Sequence, residues 1–243
     1  MRIAIVCEKA NCYGGASVLA ALLASSLKRK GFDVACVSLN APMKGKSHLE
    51  YFEIDKWYTP KLVFPPKALF YQLYFSLASA MRRCEKQFRP DVVINAYPMG
   101  GVDVLRKTRA LKVLYVDWPL EQVLPPSREW LYAPVIRAHR NVLKKIDKVV
   151  CNSEYVKDLI CKYWSAYVAR DELTVIYPCI KWDMFQHANS NRRRKLVCYV
   201  GRLDKGKGID FVIDAFLKAD VEGSELVIAG ATVFPMDTGG TID

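Results

Sequence analysis

Metal-ligand spacing is the first thing this chain has little of. It carries eight cysteines but no C-x-x-C pair, and only three histidines stand available to complete a set with them, which argues against a metal centre. Neither the dinucleotide fingerprint G-x-G-x-x-G nor the Walker order G-x-x-x-x-G-K-[ST] occurs, so the two commonest glycine-rich nucleotide loops are excluded. The amino terminus, "MRIAIVCEKA", has one positively charged side chain, Arg2, ahead of a strand-length apolar run. It lacks the longer apolar core and small-residue cleavage site of a signal peptide, so export is not indicated. Internal repeats and low-complexity segments are also missing.

What is present is a chain of 243 residues, 51% hydrophobic, enough for one large α/β domain or one domain and part of a second. The formal net charge of +11 favours phosphate-bearing partners: nucleotides, nucleic acid or anionic lipid headgroups. A solvated basic face that only keeps the protein soluble is the plainer alternative. Cys7, Cys36, Cys151 and Cys198 fall inside apolar, β-branched runs, where a thiol acts as a small buried hydrophobe. That usage suits a reducing cytosol, and a cytoplasmic location is expected.

Short apolar runs recur as "RIAIVC", "FDVACVSL", "DVVIN", "KVLYV", "KVVCN", "LTVIY", "KLVCYV" and "ELVIAG", each bounded by turn or charged residues. This predicts strands buried on both faces. Helical spacing lies between them over Ala16 to Lys30, closed by Gly31, over Lys67 to Gln87, and over Val135 to Lys145. Alternating strand and helix imply parallel pairing through crossovers, hence an α/β, doubly wound sheet with helices on both sides.

The basic run "QHANSNRRRK" interrupts that alternation. It predicts an N-terminal Rossmann-like domain over residues 1–185, a basic linker over 186–195, and a further unit over 196–243. The last unit reads as strand, turn, helix and strand, followed by a tail without periodicity. Three such elements cannot bury both faces of a sheet, so this second domain is expected to be partial.

Residues 61–88 crowd Phe64, Phe70, Tyr71, Tyr74 and Phe75 between lysines and arginines. The apolar part is too short to span a bilayer. An amphipathic helix on an anionic membrane surface uses such a composition, and so does a core helix packed on the sheet.

Two turns are candidates for binding chemistry. In "CYGGAS", Gly14 and Gly15 follow the first strand and open the first helix, where backbone N–H groups and the helix N-terminus favour an oxyanion. A simple tight turn is equally consistent, and the second strand ends "VSLN" without a ribose-binding carboxylate. In "YVGRLDKGKGIDFVIDAF", Gly201 follows a strand and Arg202 occupies the turn. Lys205 and Lys207 then flank Gly206 before Gly208 leads into a helix. A rigid guanidinium fork and mobile ammonium groups together neutralise a diphosphate.

The pairing of these turns resembles the retaining glycosyltransferases of family 4, with their GT-B architecture of two Rossmann-like domains. The likeness covers nearly all of residues 1–230. It rests on "GG", "VLYVDWP", "KVVCNSEYVKDLI", "LTVIYPCIKWDMF" and, most specifically, the match of "GRLDKGKG" to the family's G-R-L-x-x-x-K-G signature. The resemblance implies transfer of a sugar from a nucleotide sugar to an acceptor hydroxyl. Gly201, Arg202 and Lys207 would hold the donor diphosphate, and the backbone at Gly14 and Gly15 would face the donor phosphates or the acceptor. No cofactor or metal is implied, and the sequence has no D-x-D pair. The stretches "PPSREWLYAPVIRAHRNVLKKIDKVVCNSEYVKD" and "VIYPCI" are further similar to members that mannosylate lipid-linked oligosaccharides. That likeness implies a peripheral position on the cytosolic face of a membrane.

The chain also departs from the family. Asp117, the catalytic candidate, stands in "YVDWP" where the family often has a histidine near the donor sugar; a carboxylate there binds hydroxyls but cannot imitate a neutral imidazole. The family's E-x7-E segment has no counterpart in the unit over 196–243, so this chain alone is expected to bind donor poorly and to be C-terminally truncated. The alternative is a non-catalytic or split subunit that binds a membrane or a partner chain. A nucleic-acid reading rests only on charge and "NRRRK", without a recognition helix, zinc ligands or stacking motif.

Overall fold

A computed structural model of the chain describes residues 1–9, 15–40, 55–58, 77–96, 102–123, 129–180 and 195–230. They belong to two compact units, Met1–Lys181 and Trp182–Asp243.

In the first unit the strands are β1 (Arg2–Lys9), β2 (Asp33–Asn40), β3 (Asp55–Tyr58), β4 (Val92–Asn95), β5 (Leu111–Val116), β6 (Lys148–Cys151) and β7 (Leu173–Val175). The helices are α1 (Gly15–Arg29), α2 (Leu77–Gln87), α3 (Val102–Lys107), α4 (Leu120–Val123), α5 (Glu129–Leu143) and α6 (Glu154–Trp164). All seven strands run parallel in the order β3-β2-β1-β4-β5-β6-β7. Ile3 on β1 registers with Val34 of β2 on one side and Val92 of β4 on the other. The chain therefore leaves β1 in both directions, which makes the crevice beyond its carboxyl end the topological switch point.

The two-residue period of β1 sorts its side chains between two cores. Ile3, Ile5 and Cys7 pack with Ala20 and Ala24 of α1 and with Val34 and Cys36 of β2. Ala4 and Val6 face the other way, into a larger cluster with Leu77, Met81 and Cys84 of α2, Leu114 of β5 and Ile160 and Trp164 of α6. This is the doubly wound sheet the alternating pattern predicts. The middle stretches of the interior strands, such as Ile3–Cys7 of β1 and Val92–Ile94 of β4, are apolar because both faces of the sheet are covered there. Cys7, Cys36 and Cys151 are buried as small hydrophobes.

Helix α1 ends where the sequence places its stop, with Gly31 in the left-handed region at φ 85° and its amide donating to Lys28 O at 2.9 Å. Helix α5 begins six residues before the expected Val135 and runs through Pro134. Of the helix predicted over 67–87, the part before Leu77 lies outside the described residues, as does the aromatic cluster of residues 61–76. Among the described residues, no helix is long and apolar enough to cross a membrane.

The second unit contains β8 (Lys195–Val200), a 3-10 turn at Lys205–Lys207, α7 (Ile209–Ala219) and β9 (Ser224–Ala229). β8 and β9 pair in parallel, Lys195 opposite Ser224 and Val200 opposite Ala229. The expectation that every strand is buried on both faces fails here. Val200 is 81% exposed and Phe211 75%, and Leu196, Val197, Leu217, Val227 and Ile228 are exposed as well. Cys198 is exposed too, against the expected burial. Among the described residues, two strands and one helix make too few layers to cover these side chains. Residues 186–194 of the predicted linker lie outside the described residues.

Candidate functional site

In the second unit the turn after β8 is tied down by backbone first. The Gly201 amide donates to Ala229 O at 3.1 Å, which joins the carboxyl ends of the two strands. A Cβ on Gly230 would run into the Gly201 carbonyl, and one on Gly201 would lie 3.1 Å from the Tyr199 hydroxyl. Glycine at both positions lets the strand ends close together. The Tyr199 hydroxyl donates to Arg202 O at 2.8 Å and lies 3.4 Å from Lys207 O, so one side chain spans the loop.

Asp204 organises the remainder. Its carboxylate accepts from Arg202 Nε at 2.6 Å and lies 3.5 Å from Nη2, while its carbonyl accepts from the Lys207 amide at 3.0 Å. The Arg202 hydrogen bond lowers the Asp204 carboxyl below its ordinary value; desolvation opposes it, and the amides of Lys207 and Gly206 add to the lowering. Gly208, in the left-handed region at φ 69°, is the N-cap of α7. Arg202 and Lys207 are exposed, at the C-terminal end of β8 and the N-terminal end of α7. In an open α/β sheet this is where phosphate groups meet unpaired amides.

In the first unit, the candidate residues sit at the carboxyl edge of the sheet. Gly15 is the exposed first residue of α1, with nothing within 4 Å of a built Cβ, so sterics alone do not demand glycine there. Gly14 lies outside the described residues. Asp117 follows β5, and its Oδ1 accepts from the Trp118 amide at 3.0 Å. Burial raises its pKa, against the lowering by its own and the Trp118 amide.

Beside it, Asn152 after β6 donates its amide N–H to Val116 O at 3.1 Å and its Nδ2 to Asp117 O at 3.4 Å. Ser153 donates to Asn152 Oδ1 at 3.0 Å and accepts from the Val156 amide at 3.3 Å, capping α6. Trp118 and Tyr155, both exposed, meet edge to face with ring centroids 6.1 Å apart. Below them Tyr115 donates to Ile176 O at 3.3 Å, and burial pushes its hydroxyl up to about 12, with the Asp117 charge adding.

The sequence reading missed Tyr199, Asp204, Gly230, Asn152 and Tyr155. Only Ser153 left a local signal, a hydroxyl residue just before an apolar-periodic helix. It missed as well His139, wholly buried with its ring centroid 5.0 Å from that of Trp164 and neither nitrogen hydrogen-bonded among the described residues. Among the described residues no cluster of three or more His, Cys, Asp or Glu is placed to hold a metal ion.

Comparison with known proteins adds to this geometry. Residues 13–183 match the family model described as Glycosyltransferase Family 4. Sucrose-phosphate synthase from Thermosynechococcus elongatus is similar at TM-score 0.68 and 16% identity, over 94% of this chain and 62% of the synthase. An alpha-glucosyltransferase in complex with UDP-glucose and DNA containing an abasic site is similar at 0.58 and 15%, over 95% of this chain and 57% of its own. A lipopolysaccharide outer core galactosyltransferase is similar at 0.55 and 16%, over 96% and 62%. The chain thus spans less than two thirds of each of these proteins, and at such identities the likeness is one of fold. No curated protein matches the chain in sequence.

Proposed function

Because this chain belongs to Glycosyltransferase Family 4, we propose that it serves sugar transfer from a nucleotide sugar to an acceptor hydroxyl, with retention at the anomeric carbon. The observation that carries the reading is the turn Gly201–Gly208. It presents Arg202, Lys207 and the amides of a helix N-terminus at the carboxyl end of a parallel strand. Departure of a nucleoside diphosphate puts negative charge on the leaving group and positive charge on the sugar. Cations and N–H dipoles already aimed at that diphosphate stabilise the transition state without having to reorganise. Arg202, held at Nε by Asp204, enters such a site pre-oriented, and Lys207 supplies a mobile charge. This scheme assigns no step to a metal.

Asp117 is the residue we assign to a sugar hydroxyl, since a partly buried carboxylate accepts from hydroxyl groups. A lipid-linked acceptor, mannosyl specificity and a peripheral membrane position follow from the softer family likeness. The neighbour described with UDP-glucose favours a nucleoside diphosphate sugar as donor. The test is an amide NMR titration of the whole chain with UDP, GDP and their sugars. Amides of residues 201–209 are expected to shift, in EDTA as well as without it, and to lose the response in Arg202→Gln. Absence of any shift there with every nucleotide overturns the reading.

The exposed apolar side chains of the second unit, Val200, Phe211 and Leu217 foremost, favour a second reading in which this unit docks on further polypeptide. Hydrogen exchange over residues 196–230 that slows only with such a partner supports it. Full protection of the isolated chain removes it.

A further inference from the structure

We propose that the outer face of α5 carries a separate binding site for a phosphoryl group, built from Arg137, Arg140 and Lys144. A groove of about 310 Å³ runs along this face, lined by Ala133, Ile136, Arg137, Arg140, Asn141 and Lys144 of the helix and its C-terminal turn, with Tyr167 as the opposite wall. The spacings of three, four and seven residues place all six on one side of the helix. Among the described residues, no carboxylate lines the groove. It has room for about ten waters at bulk density, ample for a phosphate and a small substituent.

The helix C-terminus favours cations, which accounts for Arg140 and Lys144 without a ligand. It does not account for Arg137, nearly two turns further in, nor for the way the other two are held. The Tyr167 amide donates to Trp164 O at 2.8 Å, which fixes the wall, and the Lys144 ammonium lies 5.7 Å from the Tyr167 ring centroid. Arg140 is steered from below by Glu121, whose Oε1 lies 3.8 Å from Nη2, beyond hydrogen-bond reach. Glu121 Oε2 is already occupied by Trp164 Nε1 at 2.8 Å. Arg140 Nε is buried with no hydrogen-bond partner among the described residues, so the guanidinium sits in the groove wall with donor capacity unspent.

Glu121 compensates Arg140 from one side only, and an anion in the groove would relieve the repulsion that remains among the three cations of this face. A neighbouring cavity of about 180 Å³, which shares Lys144 and Tyr167, is lined by Asp147 and Glu172 besides Lys148, so the anion belongs in the α5 groove and not beyond it. The cationic end of the groove lies toward the turn into β6, the amino edge of the sheet. Asp117 and Asn152 stand at the opposite edge, so this site has no part in the proposed sugar transfer.

The double variant R137Q/K144Q tests the assignment in the full chain, with K30Q/K86Q as a control of equal charge, the first just past α1 and the second in the last turn of α2. Inorganic pyrophosphate followed by amide NMR reports a free anion. Sedimentation with phosphatidylcholine vesicles, with and without phosphatidylglycerol, reports a lipid headgroup. Shifts confined to residues 136–145, or recruitment that needs phosphatidylglycerol, are expected for wild type and control. R137Q/K144Q should bind about tenfold more weakly per cation removed, with an unchanged melting curve. Either probe alone identifies the source of the phosphoryl group. Wild type that responds to neither, R137Q/K144Q that binds as well as wild type, or a control that loses as much, overturns the proposal. The response of residues 201–209 to nucleotides is read in the same spectra and is expected to be equal in all three proteins, so failure of one proposal is visible independently of the other.

Discussion

Arg202 grips Asp204 through Nε at 2.6 Å, so the residue best suited to a diphosphate is oriented by a carboxylate two positions further on. The same carboxylate is lowered by the amides of Gly206 and Lys207, which makes it the hub of the turn. An incoming diphosphate meets a half-exposed guanidinium that Asp204 holds at Nε, with Nη2 3.5 Å from the other carboxylate oxygen.

The Asp204 titration is the first consequence. Because its folded pKa is depressed, the order it lends the turn is present above the unfolded carboxyl value of about 3.9 and is lost as pH falls through the lower folded value. Carboxyl-detected NMR of wild type should give a midpoint below the ordinary one. In R202Q the midpoint should move up toward it; an unchanged midpoint would show that the amides alone set it.

Gly230→Ala and Gly15→Ala should part company. A Cβ at 230 meets the Gly201 carbonyl, whereas one at 15 meets nothing within 4 Å. The first is expected to cost about 1–3 kcal/mol as overpacking and to speed hydrogen exchange in β8 and β9. The second should melt as wild type does.

Removing the cap of α6 gives a smaller and sharply local effect. Ser153→Ala leaves the Val156 amide without its acceptor and should lower stability by about 1 kcal/mol, with Ser153→Asp restoring most of it. Denaturant melts of the three proteins at one pH provide the comparison.

Buried His139 sets a pH window of its own. Desolvation, with the Arg140 charge adding, lowers its pKa to about 4, so the folded state keeps the ring neutral while the unfolded chain protonates near 6.5. Stability from this group is complete above 6.5 and falls as pH drops from there toward 4, by about 3 kcal/mol in order of magnitude. His139→Leu, packed on Trp164, should flatten that part of the stability profile; a profile as steep as wild type would assign the slope to other groups.

Asp117 has the opposite sign. Burial raises its pKa, so its ionisation opposes folding, and the penalty appears as pH rises through the folded value. Asp117→Asn keeps an acceptor for the Trp118 amide and is expected to melt at or above the wild-type temperature at pH 7, with the difference vanishing in acid. If Asp117 holds a sugar hydroxyl, the same variant loses response to nucleotide sugars while keeping that to the free nucleotide.

Much of this architecture was legible in the chain because its signals are local. Strands such as "RIAIVC" and "KVVCN" are apolar without interruption only when both faces are covered, and Gly31 marks a helix end by a backbone angle few other residues adopt. Edge strand β3, with the sequence "DKWY", escaped because it is short and charged, and its pairing with β2 carries no signature of its own. The apolar pattern of β8 and β9 reports what a strand can bury, not how many layers are there to bury it; the shortage of layers was legible only from the count of elements after residue 195.

The sequence by itself determined the α/β alternation and the position of the basic turn after "LVCYV", since these depend on periodicity and on neighbours within a few residues. Only the tertiary structure decided that Tyr199 spans that turn and that Gly230 closes on Gly201. It alone brought Asn152 beside Asp117 and set Tyr167 against the cations of α5. Each of these contacts is made by the way strands and helices come together after the local pattern has been satisfied, and no run of adjacent residues encodes it.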